Sequence, residues 1–475
     1  LWDNGWYAGH HMLAYSVLYP PLGALLGPRL LGALATLAAV AAFSMLVSRA
    51  YGERAWLASA WFAVAAAANL FAGRVPFTLG VALGLFALVA LQRERTVLAL
   101  LLALLTGLAS PVAGLFLALA GLALALARAR FRRKRDEGPR ARGRKVTGVK
   151  KGIGAAAAVL LALAAAVPPG VLSALFPEGG HMPFDLTSYL PCVAVSVLLV
   201  VALPREAKAL RIGAALYGLL ATAAFVFSTP FGGNAARMGM LFAGPVLAAA
   251  VLERPDRPRW RVVAVAVVAL PLVFWALAPV VKTLRVGEDP AIAASYYRPL
   301  LRFLDRRHQP MRVEIPPTRF HWEATYVPER FPITRGWERQ LDHRYANLFY
   351  SGTLTPVRYL RWLRNTATSY VAEPLRAAPD YAAVAERRLL AAGVPGLHPV
   401  FHDADWRVWR VVGSGLGRIT GIGREAFSVH GTVPAARVRW TRWWSPQPGG
   451  FVHRAPGGWT SVRTGPGGRV GVDAG

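Results

Sequence analysis

The residues best equipped for chemistry stand at the start of the chain, in LWDNGWYAGHHMLAYSVLYPPL, residues 1 to 22. Asp3 can take a proton from a hydroxyl, donate one, or ligate a metal. His10, His11 and Tyr15 follow closely, and that company raises a lone carboxylate above a helix-flanking residue. His10 and His11 are adjacent, so on a helix they point about 100° apart and cannot share one metal through i, i+4 spacing. Either can hydrogen-bond an acceptor hydroxyl or a phosphate oxygen, and packing among headgroup-level aromatics is the competing reading.

A second cluster is PFGGNAAR, residues 230 to 237, where two glycines permit close backbone approach, Asn234 offers an amide and Arg237 a planar fork suited to phosphate. Arg74, in GRVPF, is a weaker instance of the same pattern. Glu178, His181 and Asp185 share one short loop, for which helix capping is the preferred reading. Further on, TRFHWEATYVPERFPITRGWERQLDHRYANLFYSG gathers His321, Trp322, Glu323, Arg339, Arg344 and Tyr350 around Arg335, Trp337, Glu338 and Asp342. A density of aromatic and charged groups without an apolar period reads as a surface facing a polar ligand, with those last four as substrate contacts. A rim packed on the apolar half is the alternative.

Several chemistries are excluded by what is missing. There is no GxxxxGK[ST] for ATP-driven transport, no GxSxG elbow, no HExxH and no CxxC pair. The single cysteine, Cys192, rules out an internal disulfide or a cysteine-based metal site. No metal-ligand set is defined, and a divalent cation held by carboxylates stays open.

These residues must be positioned by a membrane scaffold. The chain is 55% hydrophobic with a mean hydropathy of +0.37, above the usual soluble share. Uncharged runs near 20–48, 55–72, 77–91, 96–109, 111–127, 152–175, 187–203, 209–228, 237–252 and 261–281 predict about ten spans. The loops between them alternate in charge. SRAYGER, QRER, the stretch from Arg128 to Lys151 with 12 bases against 2 acids, PREAKALR and ERPDRPRWR form a basic set. The opening stretch, AGRVPF, FPEGGHMPFDL and STPFGGNAARMG form a set whose bases are Arg74 and Arg237. The positive-inside rule places the basic set in the cytoplasm and all the candidate chemistry, with everything after Lys282, on the opposite face of a bacterial plasma membrane. A chain that starts outside also predicts a further transmembrane helix before Leu1.

The net charge of +29 mostly flanks apolar runs, which fits anionic lipid rather than nucleic acid. The expected division is an extracytoplasmic loop at 1–19, a transmembrane helical domain at 20–282 with a basic cytoplasmic loop at 128–151, an α/β domain at 283–412 and a small antiparallel β module at 413–475. In the tail, YYRPLLRFLDRR, PVRYLRWLRN and YAAVAERRLLAAG predict helices. MRVEI, TRFHWEATYV, TSYVAE, WRVWRVV and several short runs after Phe427 predict strands.

DNGWYAGHH leading into YSVLYPPL, with GRVPFTLG, GGNAARMGMLFAGP and RGWERQLD as further signposts, resembles the GT-C superfamily of membrane glycosyltransferases. The likeness is nearest to the actinobacterial multispanning proteins related to 6-pyruvoyl-tetrahydropterin synthase. The resemblance implies a mainly α polytopic fold with an outer C-terminal domain and a sugar donor carried on polyprenyl phosphate. It also implies Asp3 as general base or metal-assisted activator of the acceptor, and Arg237 as a contact to the donor phosphate. The paired acid usual in that superfamily is replaced here by Asn4. A transporter or flippase of a lipid-linked substrate, or a glycan-binding envelope scaffold, are the alternatives. Acids are nearly absent from the spans, which disfavours a proton-driven pump.

Overall fold

The computed structural model describes residues 1–136, 154–252, 259–285, 287–464 and 468–474. They form two compact units, a helical one from Leu13–Pro177 and Met182–Leu284, and a mixed one from Leu1–Met12, Glu178–His181 and Arg285–Gly475. The expected basic loop at 128–151 lies outside the described residues from 137 onward, as do residues 253–258 of ERPDRPRWR.

In the helical unit each apolar run forms a helix: Trp56–Phe71, Val75–Gln92, Thr96–Ala109, Pro111–Asp136, Ala155–Leu175, Leu186–Ala202, Lys208–Val226, Ala236–Leu252 and Arg259–Leu284. The first run divides. Tyr19–Leu26 stops at Gly27, whose φ of +77° leaves the helical region, and Pro28, lacking an N–H, opens Pro28–Tyr51. Ser110, extended at φ −157°, separates the helices on either side of Pro111.

Among the described residues, five helices are long and apolar enough to cross a membrane: Pro28–Tyr51, Val75–Gln92, Pro111–Ala129, Ala155–Leu175 and Lys208–Val226. Shorter apolar helices accompany them at Trp56–Phe71, Thr96–Ala109, Leu186–Ala202 and Val267–Val281. Their outer surface is also apolar, with Val201 76%, Leu270 75% and Leu37 67% exposed. A helix that is hydrophobic all round needs an apolar solvent, and in a bundle of this kind that solvent is lipid. Inside, glycine permits backbone contact. A Cβ on Gly114 would lie 2.7 Å from the Ala165 carbonyl oxygen, and one on Gly121 2.9 Å from that of Ala158. This small-residue seam takes the place of hydrophobic burial, which drives nothing between helices in lipid.

In the mixed unit a four-stranded sheet runs in the order Val313–Glu314, Tyr370–Pro374, Trp406–Val411, Leu397–His402. The first pair is parallel and the others antiparallel. The helix Ala294–Asp305 packs Tyr297, Leu300 and Leu304 onto Trp406 and Val408 of this sheet. Pro356–Asn365 sends Tyr359 and Leu363 into a neighbouring core with Val371 and Val411. After Gly413, seven strands form two antiparallel sheets. Trp444–Pro446, Arg469–Ala474, Ala426–His430 and Ile419–Ile422 lie side by side in one. Gly450–Ala455, Trp459–Thr464 and Val433–Arg439 make the other. Their shared core of Phe427, Val429, Val438, Val462 and Val472 also contains Trp2.

TRFHWEATYV does not form the expected strand. His321, at φ +57°, turns the chain, and Glu323–Tyr326 closes a short helix. A helix at Arg339–Tyr345 and strands at Leu397–His402 and Ile419–Ile422 appear where none was expected, and the single strand expected over ARVRWTRWW divides into Val433–Arg439 and Trp444–Pro446.

Candidate functional site

The opening stretch folds back on itself within the mixed unit. Trp2–Asp3 pairs antiparallel with His10–His11, Trp2 opposite His11 and Asp3 opposite His10. Tyr7 and Ala8 take positive φ values of 54° and 65°, and Gly9 follows at 124°, where a Cβ would overlap the Trp2 ring. The two histidines are therefore on a strand, not on a helix. His10 stacks on Trp6 at 4.8 Å and is buried, and burial lowers its pKa against the fields of Asp3 and Glu178. His11 Nδ1 lies 2.7 Å from Glu178 Oε1, and its Nε2 is 3.2 Å from Thr441 Oγ1.

Asp3 is buried and its carboxylate is engaged. It accepts from the Gly5 N–H at 2.7 Å and from the guanidinium of Arg424. The neighbouring Asn4 donates to the Gly423 carbonyl at 3.1 Å and accepts from Trp2 Nε1 at 2.9 Å. The hairpin is thus fastened to the turn before Ala426–His430.

The RGWERQLD segment divides its side chains between core and surface. Arg335 points inward, where Nε donates to Glu314 Oε1 at 2.7 Å, Nη2 donates to Glu386, and the guanidinium lies 3.8 Å from the Phe349 ring. Tyr359 completes this buried network with a 2.7 Å bond to Glu386 Oε1. Asp342 is also buried, accepting from the Tyr350 hydroxyl at 2.5 Å, which itself accepts from Arg339 Nη1 at 2.6 Å. Arg339 forks onto Asp380 with two 3.0 Å bonds.

Trp337 and Glu338 are placed differently. Trp337 is 49% exposed, a free aromatic face of the kind that sugar C–H surfaces stack on. Glu338 is half-buried, and its carboxylate has no hydrogen-bond partner among the described residues. Burial, with the nearby Glu178 charge adding to it, raises its pKa to about 8. A carboxyl group poised there can exchange a proton with a substrate hydroxyl near neutral pH.

In the helical unit a second set of expected residues comes together. Arg74, at the start of Val75–Gln92, donates to Asn69 Oδ1 at 3.3 Å and lies within electrostatic reach of Arg237 and Tyr15. Arg237, in the first turn of Ala236–Leu252, sits over the Phe77 ring at 5.4 Å, and its buried Nη1 has no partner. Among the described residues no carboxylate bonds to either guanidinium. Asn234 is buried in the short helical turn Gly232–Ala235. Gly233 lets that turn approach the Pro183 carbonyl, which a Cβ would meet at 2.6 Å. The same unit holds a partly open cavity of about 420 Å³, lined by neither arginine and walled by side chains such as Phe43, Phe116, Leu117, Leu199, Phe242 and Val246.

The partners of these residues were not visible in the sequence. Glu178 bonds His11 of the hairpin rather than capping a helix, and Asp185 caps one, accepting from the Ser188 N–H at 2.8 Å. Arg424, Thr441, Asp380, Glu314 and Glu386 went unremarked because each meets its partner only through the tertiary fold. No group of three or more His, Cys, Asp or Glu arranged to hold a metal occurs among the described residues.

No model of a known protein family matches the chain, and no curated protein matches it. Two solved structures of the arabinofuranosyltransferase AftD from Mycobacteria, one of them of a mutant, align with 90% of the chain at 16% identity, with TM-scores of 0.45 and 0.43. The chain spans 37% and 39% of the length of those two chains.

Proposed function

We propose that this chain is a membrane glycosyltransferase of GT-C type, acting on the extracytoplasmic face of a bacterial plasma membrane. It moves a sugar from a polyprenyl-phosphate donor to an envelope glycan or lipid acceptor. The observation that carries the reading is the pairing of Arg74 with Arg237, two guanidinium groups without a bonded carboxylate, in an apolar bundle that also holds a large apolar cavity. Two cations left without an acid in such a place call for an anion, and a phosphate joined to a hydrocarbon tail satisfies both the charge and the cavity.

In the reaction the acceptor hydroxyl attacks the anomeric carbon, a C–O bond forms, the bond to the phosphate oxygen breaks, and the lipid phosphate leaves as the anion that the arginines stabilise. A single displacement inverts the anomeric centre. The acceptor's proton passes to a base, and the mixed unit by itself offers two carboxylates of suitable chemistry. Asp3 would accept it after releasing Arg424, with His10 and His11 as substrate contacts, while Tyr15 stands with Arg74 in the helical unit as a contact to the donor. Glu338 could accept it directly, with Trp337 as a platform for the acceptor ring. Arg335 and Asp342 then serve by holding the Trp337–Glu338 segment in place.

The test uses the full chain in liposomes with a radiolabelled polyprenyl-phosphate sugar. Arg237→Ala should lower transfer by about 10- to 100-fold, the worth of a charge-assisted phosphate contact, and Arg237→Lys should restore part of it. Transfer at the parental rate in Arg237→Ala sinks the reading. Movement of the donor across the bilayer with no new glycosidic bond assigns the chain to the flippase class instead.

A further inference from the structure

The mixed unit carries a groove of about 460 Å³, within the size range of small-molecule sites, between the helix Pro356–Asn365 and the strand Val433–Arg439. Arg361, Arg364 and Arg437 line it, and no Asp or Glu does. Among the described residues nothing accepts from the Arg361 side chain. Arg364 uses Nε on the Val412 carbonyl at 3.0 Å, which leaves its outer nitrogens to the groove, and Arg437 lies over the Trp459 ring at 5.2 Å.

A fourth guanidinium stands behind the wall. Arg312 is fully buried, donates to the carbonyls of Thr366 and Arg437, the latter at 2.8 Å, and leaves its Nε without a partner. Among the described residues no carboxylate bonds to it, and burial pushes its pKa down to about 9. Its two bonds tie the end of the helix to the strand, so the residue that fixes the groove's walls also makes them cationic. Three guanidinium groups line the groove with no acid among its lining residues, so it is an open position where an anion fits. The remaining lining, Val357, Leu360 and Pro395, is apolar and suits the C–H faces of sugar rings.

We propose that this groove binds an anionic saccharide, bearing carboxylates or phosphates, through Arg361, Arg364 and Arg437. The site is independent of the transferase reading and would hold a glycan even on a chain that transfers nothing.

The test is equilibrium binding of fluorescent tetragalacturonate to the full chain in phosphatidylcholine nanodiscs. Cellotetraose serves as the neutral control, and vesicles of phosphatidylglycerol as competitor. Tetragalacturonate should bind, its Kd should rise with salt, and Arg361→Glu, at an exposed position, should weaken it about tenfold or more while the unfolding midpoint stays put. Arg437→Gln should weaken it as well, which guards against an effect local to one side chain. Equal binding of the neutral sugar, or unchanged affinity in both variants, overturns the proposal. Displacement by the anionic vesicles at matched charge shows that the groove takes lipid headgroups and overturns the saccharide assignment.

Discussion

The carboxylate of Asp3 is bonded to the guanidinium of Arg424 across almost the whole length of the chain. Asp3 is buried while Arg424 stands more than half in solvent, so the acid depends on this bond more than the base does. Arg424→Ala should therefore destabilise the mixed unit by about 1 kcal/mol, the lower end for a charged hydrogen bond because of solvent screening. Transfer assays on the same variant separate two roles. If Asp3 is the general base, Asp3→Asn abolishes transfer and Arg424→Ala preserves most of it. Equal losses in the two variants assign Asp3 to fastening the hairpin.

Glu338 should make both stability and transfer depend on pH. Its folded pKa of about 8 lies above the ordinary 4.5, chiefly through burial and then through Glu178. Between those values the folded chain keeps a proton that the unfolded chain has released. Stability from this group is thus full below about 4.5 and is lost as pH rises through about 8. Transfer should move the opposite way, climbing toward pH 8 as the carboxylate forms. Glu338→Gln should flatten the stability profile, and Glu178→Gln should shift the midpoint of transfer downward. A pH profile unaltered by both substitutions removes Glu338 from the reaction.

The glycine seam predicts a contrast between two sites that look alike in sequence. Gly114→Ala places a methyl 2.7 Å from the Ala165 carbonyl oxygen, and overpacking of this kind costs about 1–3 kcal/mol. Gly213→Ala meets its nearest atom, the Ala123 Cβ, at an ordinary 3.6 Å and should be tolerated. Unfolding in mixed detergent reads both. Equal midpoints for the two variants would mean that the helices do not approach as closely as the seam implies.

What was legible in the sequence follows from how far each signal reaches along the chain. The helices of the apolar half announce themselves over twenty residues at a time, and the break at Ser110 is a local effect of the proline after it. Gly27 and Pro28 are equally local signals, overridden in the reading of a single first span by the apolar residues around them. Among the site residues, Arg335 and Trp337 sit two positions apart, yet one is a core ion and the other is exposed. The difference lies in Glu314, Glu386 and Phe349, which meet Arg335 only once the sheet has formed. Likewise the seven residues Arg339–Tyr345 carry little apolar periodicity, so their helix comes from tertiary contacts such as the buried Leu341 and the Tyr350–Asp342 bond.

Trp2 is a core side chain of a module whose other core residues are drawn from Leu416 to Val472 and, apart from these, Ala367. Trp2 precedes these neighbours along the chain, so the indole must wait through the synthesis of everything between them before its seat exists. Such long-range closure is slow. Until it happens, an aromatic-rich ribbon and an unplugged β-sandwich stand exposed, and both are apt to stick to other chains. The maturation of this protein should be limited by the docking of that ribbon, and its quality control by whatever shields the two surfaces in the interval.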